Sequence, residues 1–188
     1  MAESSLDSLR KTRSVSVERR AFELRPAEAP SLPPEVEANY RARILAGWPQ
    51  VQAIARERFG LELKYAPEAR RYPTRSAHAG AKYAEEKGQG EAYHLAVYRA
   101  YWQDLRDISS PDVLVEIVRD LGLDEGEFRA ALTDDRYFTE VLADEAWAMQ
   151  HGLSGVPAFI FGDRYLVSGA QPAEVLQRVV DRCLQEGL

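Results

Sequence analysis

Apolar residues recur every three or four positions along most of this chain, and only three short stretches carry a strand pattern instead. Helical spacing predicts helices that bury one face, whereas alternation, or a short apolar run beside a turn, predicts strands. The predicted helices cover residues 2–11, 34–45, 50–59, 74–87, 91–106, 111–121, 124–132 and 138–150, with a last one that begins at Pro172. The predicted strands are 14–22, 158–161 and 165–168, and residues 61–73 are predicted to be irregular.

The last two strands are predicted to form a tight antiparallel hairpin. Their apolar runs, 158–161 and 165–168, flank the turn residues Gly162, Asp163 and Arg164. Pro157 stands at the start of the first strand, where its missing N–H removes no bond from the strand ladder. Together with the helix that begins at Pro172, these residues predict a unit of loop, Val-Pro, hairpin and helix.

Two segments of this unit carry a resemblance to a known family. Residues 155–159 read Gly-Val-Pro-Ala-Phe and residues 167–171 read Val-Ser-Gly-Ala-Gln. They resemble the C-terminal half of DsbA-like thioredoxin-fold domains, in particular the FrnE-type branch of thiol–disulfide oxidoreductases. That branch is related to the 2-hydroxychromene-2-carboxylate isomerases and the kappa-class glutathione transferases. Further similarity at residues 22–26, 74–78 and 90–153 extends the resemblance over nearly the whole chain.

The resemblance implies an α/β fold of the thioredoxin type with a large all-helical insertion. A chain of 188 residues suits one such domain. Residues 1–33 and 151–188 would then form the thioredoxin-like core, and residues 34–150 the helical insertion. The family's first strand and the Cys-x-x-Cys at the start of its first helix are missing from this chain.

The missing segment has consequences for chemistry and for assembly. Without a cysteine pair, this chain is expected to be unable to cycle a disulfide. We interpret the sequence as N-terminally truncated, because the rest of the resemblance is intact. Loss of a central strand would leave a gap of about 4.8 Å on each side between residues 14–22 and 158–161. Such a gap would favour strand addition by a peptide or by a second copy, which would give a homodimer.

The resemblance also implies which residues touch the substrate. In the family the Val-Pro bond is cis, and the main chain of the residue before Pro is free to pair with a bound thiol or disulfide substrate. Carried to this sequence, Val156 would be the main-chain contact and Pro157 would shape it. Ser168, Gly169 and Ala170 would line the groove beside them. The expected partner is a protein or peptide that contains a thiol or a disulfide.

Few other residues are candidates for chemistry. Cys183 shares an apolar helix stripe with other buried positions, so we interpret it as a packed side chain and not as a nucleophile. His78, His94 and His151 lack the spacing of metal ligands and are interpreted as surface or helix-end residues, with helix packing for His78. The Asp and Glu residues are interpreted as a solvated face, and no metal site is predicted.

Charge and cysteine content limit which kinds of partner and which cellular compartment are expected. The formal net charge of −6 and the pI near 5.2 argue against nucleic acid or an anionic membrane as the main partner. No apolar run approaches the roughly 18 residues of a membrane helix. The first residues carry charges where a signal peptide has an apolar stretch, and a single cysteine cannot form an internal disulfide. A cytoplasmic location is therefore expected.

Three classes of function stay open from the sequence. The first is a FrnE-type thiol–disulfide oxidoreductase that needs no cofactor. The second is an isomerase or transferase of the kappa type, for which glutathione would be the cofactor and a serine would replace the cysteine. The third is a redox-inactive peptide-binding module that acts as a holdase. The Ser-Gly-Ala-Gln segment at residues 168–171 resembles the first class more than the Ser-Asp that binds glutathione in the kappa class.

Overall fold

The computed structural model describes residues 1–26, 28–30, 32–64 and 72–188. Within these residues, eight helices and one β-hairpin follow each other along the chain. They are α1 (Ala2–Thr12), α2 (Pro34–Phe59), α3 (Arg75–Glu86), α4 (Gly90–Trp102), α5 (Pro111–Asp120), α6 (Glu125–Ala131), α7 (Asp135–Gln150), β1 (Ala158–Phe161), β2 (Tyr165–Ser168) and α8 (Ala173–Glu186). The predicted irregular segment 61–73 falls largely on residues 65–71, which lie outside the described residues.

The buried apolar side chains form two groups. The larger group comes from the helices between residues 77 and 137, and Tyr93, Phe128 and Val118 are among its fully buried members. The smaller group consists of Leu6 and Leu9 on α1 with Leu176 and Val180 on α8. Partly buried apolar residues of the hairpin and of the segment after α1 pack against this smaller group; they are Val15, Val17, Phe159, Phe161 and Val167.

The hairpin matches the sequence prediction at both strands. β1 and β2 pair antiparallel, with Ile160 opposite Leu166. Gly162 and Asp163 both have positive φ, at 56° and 53°, and the Arg164 N–H donates to the Phe161 carbonyl at 3.1 Å. Positive φ at both central residues is the mark of the type I′ turn, whose twist matches that of paired strands. The turn residues therefore fix the register of the hairpin.

The predicted strand 14–22 is not a strand in the structure. Its side chains alternate between exposed and partly buried positions from Ser14 to Arg20, as in a strand, but the segment pairs with no other strand in the described residues. A strand ladder needs a neighbour that supplies the complementary N–H and C=O groups. Within the same residues β1 pairs only with β2, so its other edge has no strand partner there.

Helix boundaries differ from the prediction within α2 and at the end of α4. Predicted helices 34–45 and 50–59 form the single helix α2, which continues through Pro49. A residue before proline usually avoids the helical conformation, but Trp48 is helical here. Its ring stacks on the ring of Trp102, which is remote in sequence, with 5.9 Å between the ring centroids. α4 ends at Trp102 and not at residue 106, because Leu105 has a positive φ of 55° and the Arg106 N–H bonds back to the Ala100 carbonyl.

Side-chain caps explain where α6 and α7 begin. The Asp124 carboxylate accepts a hydrogen bond from the Glu127 N–H at 2.7 Å, which confirms the predicted start of α6. Asp134 accepts a bond from the Arg136 N–H at 2.8 Å, and this cap starts α7 three residues before the predicted helix 138–150. Among the residues described, no helix combines the length and the apolar character needed to cross a membrane.

The tight packing of α3 on its neighbours gives a stability prediction. A Cβ atom added at Gly80 would overlap the Tyr93 hydroxyl and would lie 2.8 Å from Phe128 Cζ, and both of those rings are fully buried. Because neither ring can move into free space, we expect Gly80→Ala to lower the free energy of unfolding by about 1–3 kcal/mol. Denaturant unfolding followed by circular dichroism measures this change.

Gly47 provides the matched control, since it lies inside α2 and has no atom within 4 Å of an added Cβ. Gly47→Ala should raise the free energy of unfolding by about 0.5–1 kcal/mol, because alanine is the better helix former. If both substitutions have the same sign and size, the proposed overlap at Gly80 is wrong.

Candidate functional site

The loop between α7 and β1 brings the predicted site residues together. The Val156–Pro157 peptide bond is cis, and Val156 is 50% exposed. The Gly169 N–H donates to the Pro157 carbonyl at 2.8 Å, which holds the end of β2 beside the loop. Gly169 has a φ of 79°, in the left-handed region that favours glycine. The predicted pair of segments, Val-Pro and Ser-Gly, therefore lies side by side.

A groove of about 260 Å³ runs along this junction. Four of the five residues predicted to contact substrate line it, and Ala170 is exposed just beyond its edge. Sequence reasoning did not identify the other residues of the lining. Leu166 could have been found from the hairpin register, whereas the loop residues carried no signal of their own. The full lining is Gly152, Leu153, Ser154, Gly155, Val156, Pro157, Leu166, Ser168 and Gly169.

The main chain of Val156 is available for a ligand. No backbone hydrogen bond involves its N–H or its C=O group in the part of the chain that the structure describes. Both groups lie on a half-exposed loop that borders the groove. A free N–H and C=O next to each other can pair with an extended peptide as a neighbouring strand does.

Cys183 and the histidines lie outside this groove. Cys183 is buried on α8, in agreement with its interpretation as a packed side chain. His151 ends α7, where its Nδ1 lies 2.8 Å from the Trp147 carbonyl, and burial on α3 lowers the pKa of His78 to about 4. Among the described residues no group of three or more Asp, Glu, His and Cys side chains could hold a metal ion.

The third histidine belongs to an ion-pair cluster that the sequence did not reveal. His94 Nε2 on α4 lies 3.2 Å from the Glu3 carboxylate on α1, and Arg19 donates to the same carboxylate at 2.9 Å. Burial by itself would raise the pKa of Glu3, but the hydrogen bonds from His94 and Arg19 outweigh it and lower the pKa to about 2. The interpretation of His94 as a surface or helix-end residue was incomplete for this reason.

A buried carboxylate on α7 fixes the segment that follows α1. Asp144 on α7 accepts hydrogen bonds from the Ala21 N–H at 2.8 Å and from Arg20 at 3.1 Å, and its other contact is Lys82 Nζ at 2.6 Å. The buried Glu23 side chain pairs with Arg75 at 2.8 Å. The prediction that the acidic residues form a solvated face was therefore wrong for Glu3, Glu23 and Asp144. Their partners lie too far along the chain for a local pattern to show them.

A broader depression of about 500 Å³ lies on α8. Three of its charged side chains are already paired, since Arg182 contacts Glu186 at 3.0 Å and Asp181 contacts Arg13 at 2.7 Å. We therefore interpret it as a solvated helix face. The residues that line it are Arg178, Asp181, Arg182, Gln185 and Glu186.

Comparison with known proteins identifies relatives along almost the full length of the chain. A family model described as a DSBA-like thioredoxin domain matches residues 1–181. The uncharacterized protein YwbO of Bacillus subtilis (strain 168) is 30% identical over 176 residues, which are 90% of this chain and 83% of that protein.

Solved structures show the same fold. A probable DsbA oxidoreductase, SCO1869 from Streptomyces coelicolor, superposes with a TM-score of 0.84 at 33% identity, over 98% of this chain and 84% of that one. A putative protein disulfide isomerase from Nitrosomonas europaea gives 0.73 at 26% identity, over 97% and 89%. A 2-hydroxychromene-2-carboxylate isomerase gives 0.70 at 19% identity, over 99% and 90%, which shows a shared fold alone. The predicted α/β thioredoxin-like fold with a helical insertion is confirmed.

The partly buried Glu3 carboxylate gives a prediction for the pH dependence of stability. The pKa of Glu3 falls from its ordinary value of 4.5 to about 2 in the folded chain. Its contribution is therefore fully present above about pH 5 and is lost as the pH falls toward 2. We expect Glu3→Gln to lower the free energy of unfolding by on the order of 2 kcal/mol at pH 7, and the difference from wild type to shrink below pH 4.

Urea unfolding at a series of pH values from 7 to 2.5 measures this difference. Glu174→Gln is the control, because Glu174 is exposed in the first turn of α8. That variant should follow the wild-type pH profile closely. A difference between Glu3→Gln and wild type that stays constant over the whole range would contradict the proposed role of Glu3.

Proposed function

We propose that this chain, which belongs to the DSBA-like thioredoxin domain family, binds thiol- or disulfide-containing peptides or proteins at its Val156–Pro157 loop. The family acts on thiol and disulfide substrates in general. The observation that carries the proposal is the main chain of Val156, which has no backbone partner within the described residues and borders the groove. Ser168, Gly169 and Ala170 would lie along the other side of a bound substrate.

The form of the site favours an extended peptide as the ligand. Main-chain hydrogen bonds from Val156 would supply affinity that does not depend on the sequence of the substrate. The bond between Gly169 and Pro157 keeps the loop next to the hairpin, so the binding surface is held in place before the substrate arrives. Preformed sites lose less conformational entropy on binding than mobile loops do.

Redox chemistry at this loop needs two thiols that these 188 residues do not contain. In an exchange reaction a thiolate attacks one sulfur of the substrate disulfide, forms a mixed disulfide and releases the other sulfur as a thiolate. A second thiol then attacks the mixed disulfide and frees the substrate. The chain has one cysteine, Cys183, and it is buried on α8 away from the groove lining. We propose that the 188 residues by themselves bind a substrate at this loop without cycling its disulfide.

Two other proposals share the same loop. A holdase would use the Val156 contact to bind unfolded peptides without any redox step. An isomerase or transferase of the kappa type would use it to bind glutathione. Assignment to the FrnE-type branch and a cytoplasmic location stay predictions, as does strand addition at the free edge of β1.

Blocking the groove tests whether it binds peptides. The probe is a labelled five-residue peptide with S-methylcysteine at its centre, which can bind but cannot exchange disulfides. We expect saturable binding by fluorescence anisotropy, and at least about tenfold weaker binding by Ser168→Trp, because the indole would fill much of a groove of about 260 Å³. Ser168 is exposed, so the substitution should leave the fold intact.

Ser8→Trp is the matched control, since Ser8 is an exposed serine on α1 outside the groove. It should bind the peptide as the wild type does. The proposal fails if no peptide binds, or if Ser168→Trp and Ser8→Trp bind equally well.

A turnover assay separately tests the prediction that the chain cannot cycle a disulfide. We expect the chain of 188 residues to show no catalysed oxidation of a dithiol peptide and no catalysed reduction of insulin disulfides above the uncatalysed rate. Cys183→Ser should give the same result, because the single buried thiol has no partner with which to form an internal disulfide. Multiple turnovers by the wild-type chain that disappear in Cys183→Ser would contradict this.

A further inference from the structure

We infer that one face of α2 pairs with the same face of a second copy of this chain, as two antiparallel helices related by a two-fold axis at Asn39. The surface, called the α2 face below, shares no residue with the groove lining, so pairing through it goes beyond the proposed function. Its six residues are all exposed: Glu35, Val36, Asn39, Ala42, Arg43 and Ala46.

α2 has little packing of its own in the described part of the chain. It is the longest of the described helices, with 26 residues, yet Ala55 is its one buried residue. Within the same residues it contributes to neither group of buried apolar side chains, and it is absent from the helix pairs that pack extensively. Helices in proteins gain most of their stability by packing one face against a neighbour. The α2 face is therefore available to another molecule.

The spacing of these residues places them on one side of the helix. Positions 35, 39, 42 and 46 are separated by four, three and four residues, which is the repeat of helices that pair lengthwise. Val36 and Arg43 are seven residues apart and flank this line on the same side. Val36 is 49% exposed, which leaves a branched apolar side chain on the surface beside two alanines.

The charges on the α2 face indicate that its partner is a second copy. In an antiparallel pair with the axis at Asn39, Glu35 of each copy lies opposite Arg43 of the other, because both residues are four positions from Asn39. A parallel pair would place acid opposite acid and base opposite base. Antiparallel helices also bring the opposite ends of their dipoles together. The charge pattern is thus complementary to itself in one orientation.

The uncharged residues of the face suit the same alignment. Val36 lies opposite Ala42 of the other copy, since each is three positions from Asn39, and a branched side chain against a small one allows close approach of the helices. Asn39 meets Asn39 at the axis, where each amide can donate to and accept from the other. A polar residue at such a point fixes the register of paired helices.

The extent of the face predicts a weak and reversible dimer. Residues 35–46 span about 18 Å of helix. One pair of helices in contact over this length buries less than the roughly 1,200–2,000 Å² of a standard stable interface. We expect a dissociation constant on the order of 10–100 µM.

Sedimentation velocity of the wild-type chain from about 5 to 500 µM measures this equilibrium. Arg43→Glu should weaken the dimer at least about tenfold, because it places like charges opposite each other at both ends of the contact. Glu35→Arg should weaken it to a similar extent. A mixture of these two variants should dimerise again, since acid then lies opposite base at both ends. Unfolding cannot produce that recovery.

Arg41→Glu is the matched control. Arg41 is an exposed arginine two residues before Arg43, so it lies about 200° away around the helix, and its substitution changes the net charge by the same amount. This variant should dimerise as the wild type does.

Three results would overturn the pairing of the α2 face. The first is a wild-type chain that stays monomeric at about 500 µM, well above the expected dissociation constant. The second is equal dimerisation by Arg43→Glu and Arg41→Glu, which would place any contact between copies elsewhere on the surface. The third is a mixture of Arg43→Glu and Glu35→Arg that associates no better than either variant alone.

Discussion

Two carboxylates of α7, Asp144 and Glu145, attach the segment that follows α1. Asp144 is buried, and Glu145 accepts a hydrogen bond from the Glu23 N–H at 3.1 Å. Asp144 bonds to the Ala21 N–H and contacts Lys82, so it holds main chain and side chain at the same point. The two groups of buried apolar residues share no member, and the helix pairs that pack most extensively lie within one group or the other. The contact of Glu3 with His94 and the ion pair of Arg10 with Glu91 join α1 to α4 of the helical insertion. Polar contacts of this kind depend on geometry for their net effect, because desolvation offsets part of the attraction.

The attachment to α7 matters for the groove, because the groove lies between the loop that follows α7 and the hairpin. One wall is the loop that leaves α7, and the other is the end of β2, which belongs to the hairpin packed on α1 and α8. The bond between Gly169 and Pro157 joins the two walls directly. A change that moved α7 relative to the hairpin would open or close the groove without altering any residue in its lining.

Sequence reasoning predicted the local features well and the distant contacts poorly. The hairpin followed from Gly162 and Asp163, whose turn geometry depends on neighbouring residues alone. The continuation of α2 through Pro49 could not be predicted from neighbouring residues, since Trp48 contacts Trp102, which is remote in sequence. Asp144 lies 123 residues from Ala21, and no periodicity links two such positions. Of the groove, the Val-Pro and Ser-Gly segments came from resemblance, whereas Leu166 required the strand register.

The proposed binding site does not depend on the redox chemistry of the family. The groove and the Val156 main chain, which has no backbone partner within the described residues, are formed without a cysteine, and one buried thiol cannot carry an exchange cycle. A substrate paired with the Val156 N–H and C=O groups would be held by two main-chain hydrogen bonds. Such pairing would restrict the positions that a neighbouring sulfur atom of the substrate can take. The selectivity of a thiol exchange reaction at this site would then be decided by the docking surface, wherever the attacking thiolate is attached.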